Sequence, residues 1–268
     1  MLGMCAYYNS LKDQKKKMNC TFQSSSQCLK LFKAIQHTNN MVNIQFDTNG
    51  MRIMSMDTSK TSLVHLELNA NSFEMFHCPV PITIGLYTNS LVTILQKSKS
   101  SKLVWKTDND LTLTVILVND DQTTEFQIRA IDIEEDQLDI PAMDDDMALQ
   151  VEASVLREWV DKMLMVNGDV QFQITNQFFQ CSVIGSTVGT ITHREPINGK
   201  RIESLAKRKN VNITLSFQAA KSMLMFSHCG STCMVGFSNE QPSRLKVNLD
   251  NGSYLCLFVA PKIVDEHQ

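Results

Sequence analysis

Val42-Asn-Ile-Gln-Phe46 and Val170-Gln-Phe-Gln-Ile174 are two similar runs of alternating apolar and polar residues, one in each half of the chain. Such alternation is typical of a β-strand with one buried face. Each run follows a stretch of helical period and precedes a second alternating run. The helical stretches are Cys28–His37 and Val155–Val166, and the second runs are Met51–Met56 and Phe178–Val183. A repeat longer than the 20–50 residues of solenoid units predicts two similar domains.

The composition narrows the class of protein. A length of 268 residues predicts two domains, and 43% apolar with 20% charged residues is typical of a soluble globular protein. No uninterrupted apolar stretch is long enough for a bilayer, so no membrane partner is expected. The net charge of −3 provides no global attraction to nucleic acid, so DNA binding would require segregated charge. The eight scattered cysteines form no CxxC pair, which favours reduced intracellular thiols.

The chain divides into four segments. Residues 1–18 are polar and lysine-rich and are predicted to form a flexible extension, with a DNA-contacting arm as the alternative. Residues 19–131 form the first predicted domain, and residues 147–268 form the second, with a C-terminal tail. Residues 132–146 are acidic, contain proline and lack periodicity, which predicts an extended connector.

Helices and strands are predicted in both domains. Besides the two stretches above, Asn89–Gln96 and Phe217–Phe226 have apolar residues at helical spacing. Asp47-Thr-Asn-Gly50 predicts a tight turn between two strands, because Asn-Gly tolerates positive φ. A basic loop, Arg194–Lys209, is predicted between two strands of the second domain, as a solvated loop or a DNA contact.

The usual signatures of catalysis are missing. The chain has no glycine-rich phosphate loop, HExxH or GxSxG pattern, so neither catalytic residues nor a cofactor are expected. The His228, Cys229 and Cys233 cluster lacks a fourth ligand at matching spacing, so no metal site is predicted there. The alternative of a different class is a metal-dependent nuclease that uses the acidic connector, including Asp144–Asp146.

Three segments together indicate a family. Met54-Ser-Met-Asp-Thr-Ser-Lys-Thr-Ser-Leu-Val64, Glu135-Asp-Gln-Leu-Asp-Ile-Pro141 and Leu257-Phe-Val-Ala-Pro-Lys-Ile263 occur in this order on the duplicated plan. The chain thereby resembles the proliferating cell nuclear antigen family of DNA sliding clamps, as a divergent member for which a viral origin is open. The resemblance implies an α+β fold with two similar clamp domains, each with two inner helices and outer antiparallel β-sheets. It also implies a trimeric ring with pseudo-sixfold symmetry around duplex DNA.

The resemblance also implies a DNA-facing surface on the helices. A sliding contact must ignore sequence, so diffuse cations toward phosphate suit it better than side chains fitted to base edges. The expected cations are Lys30, Lys33, Lys97, Lys99, Arg157, Lys162 and Lys221. Arg157 and Lys162 could instead pair with Asp161 and Glu158 on the same helix. At four positions where family members often carry a cation, this chain has a residue without a positive charge: Trp159, Thr93, Gln96 and Met225. The basic loop is expected to compensate for the missing positive charge.

A partner site is implied by the same three segments. In the family, the connector and the C-terminal strand border an apolar pocket for a short peptide with aliphatic and aromatic anchors. Its expected walls here are Met56, Lys60, Leu63, Leu138, Ile140, Pro242, Phe258, Val259, Ala260, Pro261 and Ile263. An apolar groove for a partner explains why Leu138 and Ile140 occur in an acidic connector, although they could also hold the connector down.

Ring closure is expected to pair two edge strands, one within Thr123–Arg129 and one within Val188–His193 of the next subunit. The implied function is a homotrimeric processivity factor for DNA polymerase that also docks replication and repair proteins and is placed on DNA by a clamp loader. A checkpoint-type or viral transcription-linked clamp subunit is the alternative. The implied location is the nucleus, or the viral replication site of a host cell for a viral chain.

Overall fold

The computed structural model describes residues 18–98, 101–134, 138, 140, 143–185, 189–197 and 199–262. The chain folds into two compact units. Unit 1 comprises Met1–Ser55, Leu66–Gln137 and Asp250–Ser253, and unit 2 comprises Met56–His65, Leu138–Leu249 and Tyr254–Gln268. The division between residues 137 and 138 falls within the predicted connector.

Unit 1 combines two helices with two sheets. The helices are α1 (Ser25–Thr38) and α2 (Thr88–Leu95). The strands are β1 (Met18–Phe22), β2 (Met41–Asp47), β3 (Gly50–Met56), β4 (Ser62–Asn69), β5 (Phe73–His77), β6 (Ile82–Tyr87), β7 (Lys102–Thr107), β8 (Thr112–Asn119) and β9 (Gln122–Arg129). A five-stranded antiparallel sheet has the order β5-β1-β7-β8-β9, and the other sheet runs β4-β3-β2-β6. The strand β4 begins in unit 2 and ends in unit 1.

Unit 2 repeats this plan. Its helices are α3 (Ala153–Leu164) and α4 (Phe217–Ser227). Its strands are β10 (Met147–Glu152), β11 (Val170–Ile174), β12 (Phe178–Gly185), β13 (Gly189–Pro196), β14 (Ile202–Lys207), β15 (Val211–Leu215), β16 (Thr232–Phe237), β17 (Ser243–Asn248) and β18 (Tyr254–Val259). A four-stranded sheet has the order β13-β12-β11-β15, and the other runs β14-β10-β16-β17-β18 to the start of β4.

The sequence signals for the first helix and turn are confirmed. Ser24 caps α1, where its hydroxyl accepts a hydrogen bond from the Gln27 amide at 3.1 Å. The apolar face of α1 is buried, with Phe32 against Trp105 at a centroid distance of 5.4 Å. Gly50 has a φ of 146°, and a Cβ there would lie 2.0 Å from the Leu68 carbonyl oxygen. The β2–β3 turn therefore requires glycine for both conformation and space.

The predicted duplication is confirmed by the order of elements in the two units. Strand β2 follows α1 as β11 follows α3, and these strands contain the two similar alternating runs, Val42–Phe46 and Val170–Ile174. The chain also leaves the last strand of each unit in the same way. After β9, the Ile131 amide donates to the Gly85 oxygen on β6 at 2.9 Å, and after β18, the Lys262 amide donates to the Thr214 oxygen on β15 at 2.7 Å. Each departing segment therefore covers part of an edge strand.

The predicted basic loop Arg194–Lys209 is wrong as a loop. Its first residues belong to β13, which ends at Pro196, and its centre forms the strand β14. The strand was missed because Glu203 and Lys207 make it look like a solvated charge run, while Ile202 is the only residue of β14 that is buried. Pairing with β10, from Met147 to Val151, decides its conformation.

No helix in the described part of the chain is long and apolar enough to cross a membrane.

Candidate functional sites

Exposed cations lie on the helical face of unit 1. Lys30 and Lys33 are exposed on α1, while their neighbour Phe32 is fully buried against the sheet. Lys97 is exposed just after α2. Lys99, the remaining predicted cation of this unit, lies outside the described residues. The helical period thus places the apolar side chains on the face that packs on the sheet, and it places the lysine side chains on the face directed away from the sheet.

The cations of α3 are partly occupied by bonds within unit 2. The Arg157 Nη1 donates to the Ser227 carbonyl oxygen at 2.8 Å, instead of pairing with Asp161. The Lys162 Nζ lies 2.6 Å from the Glu158 Oε1, as the helical spacing predicts. Arg201 also pairs with Glu158, and hydrogen bonds from Lys162 and Arg201 lower the pKa of this carboxyl. These predicted DNA contacts therefore have competing internal partners.

Lys221 on α4 is exposed. The four helices therefore differ in how many predicted DNA-contacting cations they leave without an internal partner. Among the predicted DNA-facing cations that the structure describes, those without a hydrogen bond or ion pair to another described residue are Lys30, Lys33, Lys97 and Lys221.

Trp159 is part of the core and not of an exposed helical surface. Its side chain is 2% exposed and stacks on Phe179 with a centroid distance of 4.4 Å. Its Nε1 donates to the Glu195 Oε1 at 2.9 Å, and the His193 Nε2 lies 3.0 Å from the same oxygen. The Arg201 Nη1 approaches that oxygen to 3.1 Å. This buried carboxylate on β13 therefore connects α3 to Arg201, the residue before β14, and sequence spacing did not indicate that interaction.

The predicted compensation of DNA-facing charge by Arg194–Lys209 is not supported, because most of those cations have partners within unit 2. Arg194 donates to the Gln180 Oε1 at 2.6 and 2.8 Å and lies 4.3 Å above the Phe178 ring. Arg208 forms an ion pair with Asp144, and the Lys209 Nζ lies 3.9 Å from the Asp146 Oδ1.

One face of β17 and β18 in unit 2 bears Phe258, a residue of the predicted peptide pocket. In the antiparallel register, Phe258 lies opposite Arg244, so both side chains are on the same face. Tyr254 is on that face as well, and its hydroxyl lies 3.3 Å from the His65 Nδ1 on β4. Because side chains alternate along a strand, Leu63 shares the face of His65. Phe258 and Leu63 therefore border one surface.

The remaining pocket residues are exposed to different degrees. Met56, Lys60, Pro242 and Ala260 are exposed, and Leu138, Ile140 and Pro261 are half-buried. Val259 is only 2% exposed and lies on the core face, so its predicted contribution of a side chain to the pocket is wrong. Ile263 lies outside the described residues. The predicted apolar surface of Met56, Leu63, Leu138, Ile140, Pro242, Phe258, Ala260 and Pro261 is called the groove below, and its Phe258 is 9% exposed.

A rigid turn precedes β4 at the edge of the groove. The Asp57 carboxylate accepts hydrogen bonds from the Thr61 amide at 2.8 Å and the Ser62 amide at 2.9 Å. Its burial opposes ionisation, but these bonds and that from Ser59 outweigh it and lower the pKa of Asp57. Lys60 has a φ of 56°, and the Ala260 amide donates to the Thr61 oxygen at 2.8 Å. The turn is thereby held against the start of the C-terminal tail.

The acidic end of the connector is anchored by three different partners. Asp144 pairs with Arg208, Asp145 with Arg244, and Asp146 accepts hydrogen bonds from Ser238 and Asn239. Because these carboxylates already have cationic or hydrogen-bonding partners, they do not form an open set of ligands for Mg²⁺. Within the described residues, no three His, Cys, Asp or Glu side chains are grouped for a metal ion. Glu135 and Asp136, two further acidic residues of the connector, lie outside the described residues.

The two strands predicted to close the ring each lie at the edge of a sheet. Strand β9 follows β8 at the end of its sheet, and β13 follows β12 at the end of another. Phe126 and Ile128 on β9 are half-buried, as are Ile191 and His193 on β13. The first predicted edge segment, Thr123–Arg129, is confirmed as strand. Of the second, Val188 lies outside the described residues.

Known proteins resemble this chain over nearly its whole length. Residues 17–141 match the family model of the N-terminal domain of proliferating cell nuclear antigen. A DNA polymerase sliding clamp of Methanobrevibacter smithii is 27% identical over 245 residues, which cover 90% of this chain and 96% of that protein. Proliferating cell nuclear antigen 2 of Plasmodium falciparum is 25% identical over 256 residues, which cover 88% and 95%.

A solved structure also has the same fold. The crystal structure of proliferating cellular nuclear antigen from Entamoeba histolytica superposes with a TM-score of 0.83 at 17% identity, and covers 92% of this chain and 99% of its own. The duplicated helix-and-sheet units thus define a clamp-type α+β protein. In sequence, residues 17–141 are similar to the N-terminal domain of proliferating cell nuclear antigen, and nearly the whole chain is similar to DNA polymerase sliding clamps.

Proposed function

We propose that the protein is a DNA sliding clamp and acts as a processivity factor for DNA polymerase. The observation that carries the proposal is the paired arrangement of α1–α2 and α3–α4, with exposed lysines on a helical face behind which the apolar residues are buried. Such lysines can attract phosphate at many positions along a duplex without reading its sequence. The proposed contacts are Lys30, Lys33, Lys97, Lys99 and Lys221, with Arg157 and Lys162 as weaker contributors because of their internal partners.

The proposed assembly is a homotrimer, in which β9 of one subunit pairs with β13 of the next. An edge strand presents unpaired backbone groups, and a head-to-tail contact can close a ring when the rotation fits. Half-buried apolar side chains on both edges, such as Phe126 and Ile191, would then be covered on association. The domain boundaries proposed for each subunit are residues 19–131 and 147–268, which the connector 132–146 joins.

The groove is proposed to bind short apolar segments of partner proteins. The partners are DNA polymerase and other replication or repair proteins that carry clamp-binding peptides, and a clamp loader that opens the ring. Met56 and Pro242 are exposed and offer apolar area that a partner can cover. The proposal includes no catalysed reaction and no cofactor. It places the protein in the nucleus, or at a viral replication site if the chain is viral.

Retention on DNA tests the proposal directly. The purified protein should have the mass of three subunits by light scattering. Loaded onto a nicked circular plasmid, it should stay bound in high salt and should leave once the plasmid is cut to a linear form. A stable monomer would exclude the homotrimer, and a larger mass only with other subunits would favour a heterotrimeric clamp. Equal loss from circular and linear DNA would refute encirclement.

A further inference from the structure

A fixed ion pair lies beside the groove. Arg244 on β17 is directly opposite Phe258 on β18 and shares its face of the sheet. The Arg244 guanidinium donates to the Asp145 Oδ2 from Nε at 3.1 Å and from Nη2 at 2.5 Å. The Asp145 side chain is 5% exposed, whereas that of Arg244 is 31% exposed. The carboxylate is therefore covered, and the guanidinium is the part that a partner can reach.

The position of the Asp145 carboxylate is fixed by its contact with β16 and by hydrogen bonds of the two neighbouring residues in the chain. A Cβ on Gly236 would lie 2.3 Å from the Asp145 Oδ1, so glycine at this position allows the carboxylate to rest against β16. On one side, the Asp144 amide donates to the Gln241 Oε1 at 3.2 Å, and on the other, Asp146 accepts from the Asn239 amide at 3.0 Å. Because Asp145 is fixed, the guanidinium that it binds is fixed too.

The guanidinium keeps a donor available for a ligand. Within the described residues, the Nη1 amino group of Arg244 has no hydrogen-bond partner. A ligand carboxylate at the Arg244 Nη1 would lie close to the Asp145 carboxylate, and the two negative charges would repel each other. A neutral oxygen acceptor would not be repelled by Asp145. The neighbouring Phe258 ring and Pro242 favour an apolar ring next to that oxygen. A phenol combines an apolar ring with a neutral hydrogen-bond acceptor.

We propose that Arg244, oriented by Asp145, makes the groove prefer tyrosine to phenylalanine as the aromatic anchor of a bound peptide. The phenolic oxygen accepts a hydrogen bond from the Arg244 Nη1, and the ring packs beside Phe258. This inference rests on the proposed function of the groove, and it names the side chain that the groove selects. A hydrogen bond to a charged group in a covered site corresponds to about a tenfold difference in Kd.

Two peptides that differ by one oxygen atom test the inference. Fluorescein-labelled peptides with one leucine anchor and one aromatic anchor, either tyrosine or phenylalanine, are titrated with the protein by fluorescence anisotropy. For the unaltered protein, the tyrosine peptide should bind about tenfold more tightly. Arg244→Lys keeps the positive charge that Asp145 needs but removes the planar set of donors. It should reduce the preference to about twofold or less, through weaker binding of the tyrosine peptide alone.

The control and a second variant distinguish the possible failures. Lys246→Met changes the next cation on the same face of β17, where it lies 4.3 Å above the Tyr254 ring, and it should leave the preference intact. The double variant Asp145→Asn with Arg244→Met removes both charges together, so no unpaired charge remains buried, and it should also abolish the preference. Equal binding of both peptides to the unaltered protein would overturn the inference and leave the groove intact as a peptide site. Binding of neither peptide would overturn the proposed groove and the inference with it.

Discussion

Replacing Lys30 and Lys33 by alanine tests whether α1 faces DNA. Both side chains are exposed on the helix, and the buried Phe32 between them packs on Trp105, so their removal leaves the core unchanged. A control with the same change of charge lies on the sheet that α1 packs against, where one of the two lysines, Lys102, pairs with Glu74 at 2.6 Å. Trp105 faces α1, and alternation along β7 therefore places Lys102 and Lys106 on the opposite face. Lys102→Ala with Lys106→Ala removes the same charge from the face that should not meet DNA.

The size of the effect follows from the release of counterions. Each lysine that neutralises one phosphate contributes about 0.9 to the slope of log Kobs against log salt concentration. Two lysines per subunit are about six per proposed trimer, so the slope should fall by up to about 5 if all of them contact phosphate. Contact by half of them would lower the slope by about 2 to 3.

The measurement is the binding of a short fluorescent duplex by anisotropy at several salt concentrations, with circular dichroism to verify folding. The α1 variant should bind more weakly and with a shallower salt dependence, equally for unrelated duplex sequences. The control variant should keep a slope close to that of the unaltered protein. A slope change below about 1 for the α1 variant, or an equal change for both variants, would refute the assignment of this helical face.

Three further predictions concern the groove, the ring and acid stability. Ile140→Ala with Pro261→Ala should weaken binding of a polymerase-tail peptide in a calorimetric titration and leave the subunit mass unchanged; unaltered affinity would contradict the groove. Ile191→Asp would place a charge on the half-buried face of β13 and should give monomers by light scattering. The control Thr190→Asp, on the exposed face of the same strand, should leave the trimer intact. A trimeric Ile191→Asp protein would contradict the β9–β13 contact. The hydrogen bond from the Asn239 backbone amide is the largest cause that lowers the pKa of Asp146, and the charge of Lys209 adds to it. The ionised Asp146 therefore stabilises the folded protein above the ordinary aspartate pKa of about 3.9. This stabilisation is lost as the pH falls through the lower pKa of the folded state. Chemical denaturation between about pH 2 and 6 should therefore show a smaller decline in the free energy of unfolding for Asp146→Asn than for Asp108→Asn, and equal declines would contradict this.

Local sequence patterns were sufficient for the repeated elements. The four helices were predicted within a few residues, because apolar side chains at helical spacing identify the buried face wherever the helix packs on a sheet. The turn at Asp47–Gly50 was also predictable, since its conformation depends on adjacent residues. Strand β14 was not, because its charged residues dominate its composition and only the pairing with β10 makes it a strand.

The sites show the same division. The sequence by itself determined that the chain has two similar halves, an acidic connector with two apolar residues, and helices that carry lysines on one side. These features depend on order and spacing along the chain. Only the tertiary structure decided which charges are available to a ligand. Lys30 remains exposed, whereas Arg157, Arg201 and Arg244 are bound to groups on other elements. The physical reason is that Arg244 and its partner Asp145 are 99 positions apart in the sequence. Whether two such residues meet depends on how the sheet and the connector pack, and no local pattern contains that information.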